Sequence, residues 1–163
     1  MADSVARVIS LRTLREDDLP TMFEIQLDNT AQHLAAFIDN TARDRDAYIE
    51  KRRKFLADEA IIMKVVEVDG EVVGSVGTYP IEGDNQVTYW IRKDCWGQGI
   101  ATAALAALLK EVAVRPLYGQ VAEDNIGSVR VLERNGFALV GNEESFAPGR
   151  QATITELIFK LSD

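Results

Sequence analysis

Cysteine and histidine are almost absent from this chain: there is one of each in 163 residues, Cys95 and His33. A single cysteine excludes an intrachain disulfide, which suits a cytoplasmic protein. A cysteine nucleophile needs a histidine at its side, and no motif joins these two. A cysteine/histidine metal site lacks ligands for the same reason, so no metal is expected. Long apolar runs are missing as well; none approaches the roughly 20 residues that cross a bilayer. Met1-Ala2-Asp3-Ser4 carries no basic segment followed by an apolar one, so no secretory signal is read and no membrane partner is expected. Positive charge is in deficit, with 18 Lys and Arg against 26 Asp and Glu and a net charge of −8. That balance argues against nucleic-acid binding, which needs a basic face. It suits a small-molecule ligand or a cationic partner, and solubility alone would account for it equally.

Apolar residues make up 47% and charged residues 27%, the proportions of an ordinary globular protein. The length is that of one domain with a real core, expected to span residues 1–163.

One stretch organises the rest: Tyr89-Trp90-Ile91-Arg92-Lys93-Asp94-Cys95-Trp96-Gly97-Gln98-Gly99-Ile100-Ala101-Thr102. It begins with strand formers and passes through a turn in which Gly97 and Gly99 open conformations closed to other residues. From Ile100 the apolar residues recur with helical spacing: Ala104, Leu105, Leu108, Leu109, Val112. A glycine-led helix start leaves backbone N–H groups unpaired and aligned with the helix dipole, an arrangement that binds phosphate or pyrophosphate. A tight connection serving only helix–sheet packing is the alternative for the motif by itself.

The flanking chain reads in order. Val5 to Thr13 is a strand, and Arg15 to Pro20 opens a helix capped by an Asp. Asn29 to Asp39 is a short helix carrying His33, read as a solvated surface residue with a substrate contact as the alternative. Arg43 to Glu59 is a charged helix with a solvated face. Ile61 to Val68 and Glu71 to Tyr79 form a hairpin on Asp69-Gly70, with Pro80 as its end. Gly74 and Gly77 mark a bulge or a close approach. After a turn at Gly83-Asp84-Asn85, Gln86 to Arg92 is a strand. The next helix runs to about Val114, stopped by Arg115-Pro116. Leu117 to Ala122 is a strand, and Asn125 caps a helix closed by Asn135-Gly136. Strands begin at Phe137 and at Ala152, the second ending at Leu161. Early hairpins and late helical crossovers imply an α/β fold with a mixed sheet and helices on both faces.

Four stretches together resemble the GNAT N-acetyltransferases, and within them the RimJ/RimL branch of ribosomal-protein N-terminal acetyltransferases. They are Ile9-Ser10-Leu11-Arg12-Thr13-Leu14-Arg15 with Asp18, Tyr89-Trp90-Ile91, Trp96 to Thr102, and Asn125-Ile126-Gly127-Ser128-Val129-Arg130-Val131-Leu132-Glu133-Arg134-Asn135-Gly136-Phe137. The resemblance implies the GNAT fold: a central, mostly antiparallel sheet with one splayed parallel strand pair. It implies acetyl-CoA as co-substrate, held in the opening between the Gln86–Arg92 and Leu117–Ala122 strands. The backbone near Ile91 and Arg92 would meet the pantetheine arm and the acetyl carbonyl. The amides of Gly97, Gln98, Gly99, Ile100, Ala101 and Thr102 would hold the pyrophosphate. Asn125 would reach the pantetheine arm; Arg130 and Arg134 are read as solvated helix arginines, with a contact to the CoA phosphates as the alternative. Ser128 would protonate the leaving thiolate, a role for which the strand tyrosines Tyr79 and Tyr89 are alternatives.

Two positions depart from the family pattern. Trp96 stands where Arg or Gln is common, which removes a side-chain contact to phosphate. Gln86 stands where the branch often has Glu, and Gln cannot act as a base; Glu123 is the substitute, with a solvated strand-end carboxylate as its other reading. The implied reaction moves acetyl from acetyl-CoA to a primary amine: a protein or peptide N-terminus, an amino acid, a polyamine or an amine antibiotic. A non-catalytic acyl-CoA-binding sensor is the alternative, and the resemblance is compatible with a homodimer.

Overall fold

A computed structural model describes residues 8–163. Its elements are β1 (Ile9–Thr13), α1 (Leu19–Gln26), α2 (Asn29–Ala35), α3 (Arg45–Leu56), β2 (Ile62–Val68), β3 (Glu71–Ile81), β4 (Asp84–Ile91), α4 (Ile100–Glu111), β5 (Leu117–Ala122), α5 (Ile126–Arg134), β6 (Ala138–Ala147) and β7 (Ala152–Leu161). The strands form one sheet in the order β1-β2-β3-β4-β5-β7-β6. Every pairing is antiparallel except β4 with β5. The expected strand's first residues, Val5 to Arg7, lie outside the described residues.

Alternation along the strands divides the apolar residues between two faces. One face carries Val66, Val76, Val87, Ile91, Leu117 and Phe159 and packs under Leu105 and Leu108 of α4 and Leu132 of α5. The other carries Val65 and Trp90 and packs against Met22 and Phe23 of α1 and Tyr48 of α3. Leu105, Leu108, Leu117 and Leu132 are fully buried. Each such side chain contributes about 1.5–3 kcal/mol of hydrophobic stabilisation.

Several boundaries differ from the sequence reading. β3 continues through Pro80 to Ile81. Its pairing with β2 ends at Thr78, so no strand lies on the side where the missing N–H of Pro80 would point. The turn into β4 is Glu82-Gly83 rather than Gly83 to Asn85; both residues have positive φ, 50° and 88°. Asp69-Gly70 does the same at 52° and 84°. Both are the geometry of tight two-residue hairpins. α2 ends at Ala35 and α4 at Glu111, each several residues before the expected limit. Gly74 lies at a β2–β3 bulge, where a Cβ would come within 2.0 Å of the Trp90 carbonyl oxygen. Asp18 does precede α1, but its carboxylate makes no cap bond to that helix. It accepts the Arg15 N–H and a bidentate pair from the Arg12 guanidinium, all at 2.8 Å.

Candidate active site

β4 and β5 pair at only two positions, Asn85 with Leu117 and Gln86 with Tyr118, and then diverge. Arg92 donates its N–H to the Val73 carbonyl at 2.7 Å, so it faces β3. By alternation, Ile91 and Tyr89 turn their backbone groups toward the divergence. The Trp96 indole N–H donates to the Ile91 carbonyl at 2.8 Å, fastening the following turn to the end of β4.

That turn opens α4. Gly99 occupies the cap position in left-handed conformation, with φ 76°, and supplies no side-chain cap. Gly97 has φ 77°, and a Cβ on either glycine would meet nothing within 4 Å. The first intrahelical bond runs from the Ala103 N–H to the Gly99 carbonyl at 3.0 Å. The amides of Ile100, Ala101 and Thr102 therefore have no helical partner. They lie at the positive end of a 12-residue helix, an unblocked cradle for a diphosphate. Gly97, Gly99, Ile100, Ala101 and Thr102 line a cleft of about 710 Å³ that runs along α5 to Asn125 and Ser128.

At the inner end of this cleft the Tyr89 phenol oxygen lies 2.7 Å from Ser128 Oγ, and its O–H also reaches the Ser128 carbonyl at 3.1 Å. Burial pushes the phenol up to about 12 against the opposing pull of the Ser128 hydrogen bond, so it holds its proton at neutral pH. Asn125 Oδ1 accepts the Ser128 N–H at 3.3 Å and caps α5 as the sequence suggests. Its Nδ2 donates to the Leu34 carbonyl at 3.3 Å, tying α5 to α2.

A second cleft of about 770 Å³ opens on the α1/α3 side of the sheet. It shares Tyr89, Trp90, Asn125 and Ser128 with the first, so the two meet where β4 and β5 part. Its wall is largely apolar, including Met22, Ile25, Phe37 and Phe55. Three carboxylates interrupt it: Asp58 at its exposed rim, Asp39 and Glu156. Burial works to raise Asp39, but the Thr41 hydroxyl and amide, with Arg52 and Lys51, bring it down to about 2. Glu156 of β7 is 7% exposed. Burial raises its pKa, and the Glu143 carboxyl, its cross-strand neighbour, raises it further against a lowering bond from Ser145. Burial also raises Tyr79, with the Glu156 charge adding to it.

An acetyltransferase (GNAT) domain model matches residues 9–138, most of the chain. The chain belongs to the GNAT acetyltransferase family. A comparison with curated proteins gives no match. Among solved structures, RimL, the ribosomal L7/L12 alpha-N-protein acetyltransferase in complex with coenzyme A, superposes with a TM-score of 0.82 at 20% identity, over 98% of this chain and 96% of that one. Mycobacterium smegmatis RimJ in complex with CoA-disulfide gives 0.78 at 24% identity, over 94% and 81%. AAC(6')-Ib in complex with ribostamycin and coenzyme A gives 0.78 at 16% identity, over 94% and 93%. At these identities the likeness is one of fold. As a GNAT acetyltransferase, the protein uses acetyl-CoA as co-substrate and an amine as acceptor. Among the described residues no helix is long and apolar enough to cross a membrane.

Within this GNAT frame the expected site residues divide. Ile91, Gly97, Gly99, Ile100, Ala101, Thr102, Asn125, Ser128 and Arg130 line the first cleft, and Arg134 joins them. Arg92 does not: its guanidinium bonds Asp94 at 2.5 Å and Glu71 at 3.4 Å, and its amide faces β3. Gln98 is exposed and outside the cleft wall. Glu123, expected as the base, is exposed and lines neither cleft, because its amide bonds Thr155 and α5 begins just beyond it. Gln86 is buried, its Oε1 without a hydrogen-bond partner. His33 is exposed and meets Arg150 through its carbonyl. Sequence reasoning missed Glu156. The available signal was a lone carboxylate between Ile154 and Ile158 on one face of the last strand.

Proposed function

We propose that residues 1–163 form a single cytoplasmic acetyltransferase domain that moves the acetyl group of acetyl-CoA to the α-amine of a peptide or protein N-terminus. The observation that carries this reading is the junction of two clefts at the Tyr89–Ser128 hydroxyl pair. The first cleft suits the donor: the amides of Gly97 and of Gly99 to Thr102 take the pyrophosphate, Arg130 meets phosphate, and Asn125 and the Ile91 backbone border the pantetheine arm. The second takes the acceptor. Holding amine and thioester together across the junction supplies much of the rate. A backbone N–H at the end of β4 stabilises the oxyanion, and Ser128 with Tyr89 delivers a proton to the departing sulfur.

An α-amine is favoured over a lysine-type amine on energetic grounds. Its pKa is about 8 against about 10.4, so forming the neutral nucleophile at pH 7 costs about 3 kcal/mol less. The likeness in fold to RimL and RimJ supports the same choice. The net charge of −8 suits a cationic acceptor and not a nucleic acid. Neither a metal nor a membrane enters this reading, and a homodimer is compatible with it. The likeness to AAC(6')-Ib keeps small amines as the second acceptor class.

The test is thiol release from acetyl-CoA against N-terminal peptides, amino acids, polyamines and aminoglycosides, beside a calorimetric acetyl-CoA titration. Release with the peptides supports the proposal, and release with another class alone moves the acceptor to that class. Tight binding without release from any amine would favour a non-catalytic sensor.

A further inference from the structure

Among the described residues, Glu156 is the one carboxylate in the acceptor-side cleft that is almost wholly buried and has no cation within ion-pair distance; Asp39, by contrast, is held by Lys51 and Arg52 at 3.2 Å each. It stands opposite Ala122, the last residue of β5, on the sheet face that carries the cleft. Three residues beyond Ala122 the chain enters α5, whose Asn125 and Ser128 line the same cleft. A buried carboxylate without a counter-ion is costly to maintain in a structure. Here its place in a largely apolar cleft that Tyr89 and Ser128 also line gives that cost a use.

Resting on the acetyltransferase reading above, we infer that Glu156 receives the acceptor's ammonium group and acts as the general base that deprotonates it. One Glu156 oxygen takes a proton from the ammonium and leaves a neutral amine. The amine lone pair forms the C–N bond to the acetyl carbonyl as the C–S bond breaks, and the sulfur departs with the electron pair. The Tyr89–Ser128 pair gives a proton to the sulfur and recovers one from the new amide nitrogen. Glu156 returns its own proton to solvent.

The groups facing Glu156 are Glu143 and Ser145 from β6 and Tyr79 from β3; Ala122 and Gln120 of β5 carry no charge. Glu143 opposes ionisation of Glu156, so it sets how far the acid limb of the pH profile lies toward neutrality.

The experiment compares wild type, Glu156→Gln and Glu143→Gln by acetyl-CoA calorimetry and by kcat/KM for the amine against pH. Glu156→Gln is expected to lower kcat/KM at pH 7 by about 100-fold or more, with the acetyl-CoA Kd within about threefold of wild type. Glu143→Gln, at an exposed position, is expected to move the acid limb to lower pH, which a purely structural role for Glu156 would not do. A Glu156→Gln protein that is folded and within a few-fold of wild-type kcat/KM overturns the proposal. If Glu156→Gln does not fold, an acid limb unmoved by Glu143→Gln overturns it instead. A wild-type protein that neither binds acetyl-CoA nor releases thiol overturns the acetyltransferase reading itself, and is told apart from the other failures by the calorimetry.

Discussion

The phenol of Tyr89 on β4 and the hydroxyl of Ser128 on α5 share a 2.7 Å hydrogen bond across the gap left by the divergence of β4 and β5. The bond joins two elements that the sheet no longer connects there, and it lies where the two clefts meet. The two hydroxyls are expected to act as one unit. Ser128→Ala and Tyr89→Phe should each lower kcat by about 100-fold, the order of a lost proton donor, while the acetyl-CoA Kd changes little. The double variant should be scarcely worse than either single one, because removing one member already breaks the unit. Steady-state kinetics beside calorimetry on the three proteins checks this, and additive losses would refute a shared role.

Gly99 separates ligand binding from folding. Its left-handed φ of 76° makes a replacement mildly strained, at a cost of about 1 kcal/mol. A Cβ there meets nothing within 4 Å, so Gly99→Asp should fold. Its carboxylate would stand at the amides of Ile100 to Thr102 and repel a diphosphate. The expected outcome is a near-wild-type circular dichroism spectrum with no acetyl-CoA binding by calorimetry. Tight binding by this variant would remove the pyrophosphate from this turn.

Arg12 joins three elements. Its guanidinium bonds both oxygens of Asp18 at 2.8 Å and Glu67 at 3.1 Å. The Arg12 hydrogen bonds hold Asp18 below the ordinary carboxylate range against the raising effect of burial. A depressed pKa stabilises the fold above the unfolded value of about 3.9, and the benefit disappears as pH falls through the lower folded value. Asp18→Asn should therefore cost about 1–3 kcal/mol at pH 7 and progressively less below pH 4. Urea unfolding of both proteins at the two pH values measures the difference. A gap that is the same at both would mean that the charge of Asp18 contributes nothing.

The parts legible from sequence are those fixed by local chemistry. Asp69-Gly70 specifies its hairpin, Asn125 its cap, and the last strand ends at the expected residues because both alternation and flanking turns mark it. The glycine-led start of α4 was legible because Gly97, Gly99 and the helix start are contiguous. The failures involve residues whose meaning depends on another element. Pro80 sits in a strand only because β2 has already ended. Arg92 stands beside the cradle in sequence, yet β3 claims its amide and Asp94 its guanidinium. Glu123 looks like a base until α5 begins beyond it and leaves it outside. Glu156 reads as an interruption of an apolar strand until β5 and β6 place it in a cleft 28 positions from Ser128 in sequence.

The turn between β6 and β7 meets the end of α2 through one close backbone approach. Gly149 donates its N–H to the Ala36 carbonyl at 2.7 Å, and a Cβ there would come within 2.5 Å of the Gln32 carbonyl oxygen and 2.9 Å of that of Ala36. Both are backbone atoms and cannot rotate away. Arg150 reinforces the contact, bonding Asp124 at 2.7 and 2.9 Å and the His33 carbonyl. Gly149→Ala must therefore push the turn away from the end of α2, at a cost of about 1–3 kcal/mol. For a chain of this size that lowers Tm by roughly 2–10 °C. Phe37 and Ile38 follow α2 into the acceptor cleft, whereas the phosphate cradle is built on α4. The acceptor KM should accordingly rise more than the acetyl-CoA Kd. Gly141→Ala is the control, since a Cβ there meets nothing within 4 Å, and it should leave Tm within about 2 °C. Equal shifts in KM and Kd for Gly149→Ala would mean that the turn supports the whole sheet end and not the acceptor wall in particular.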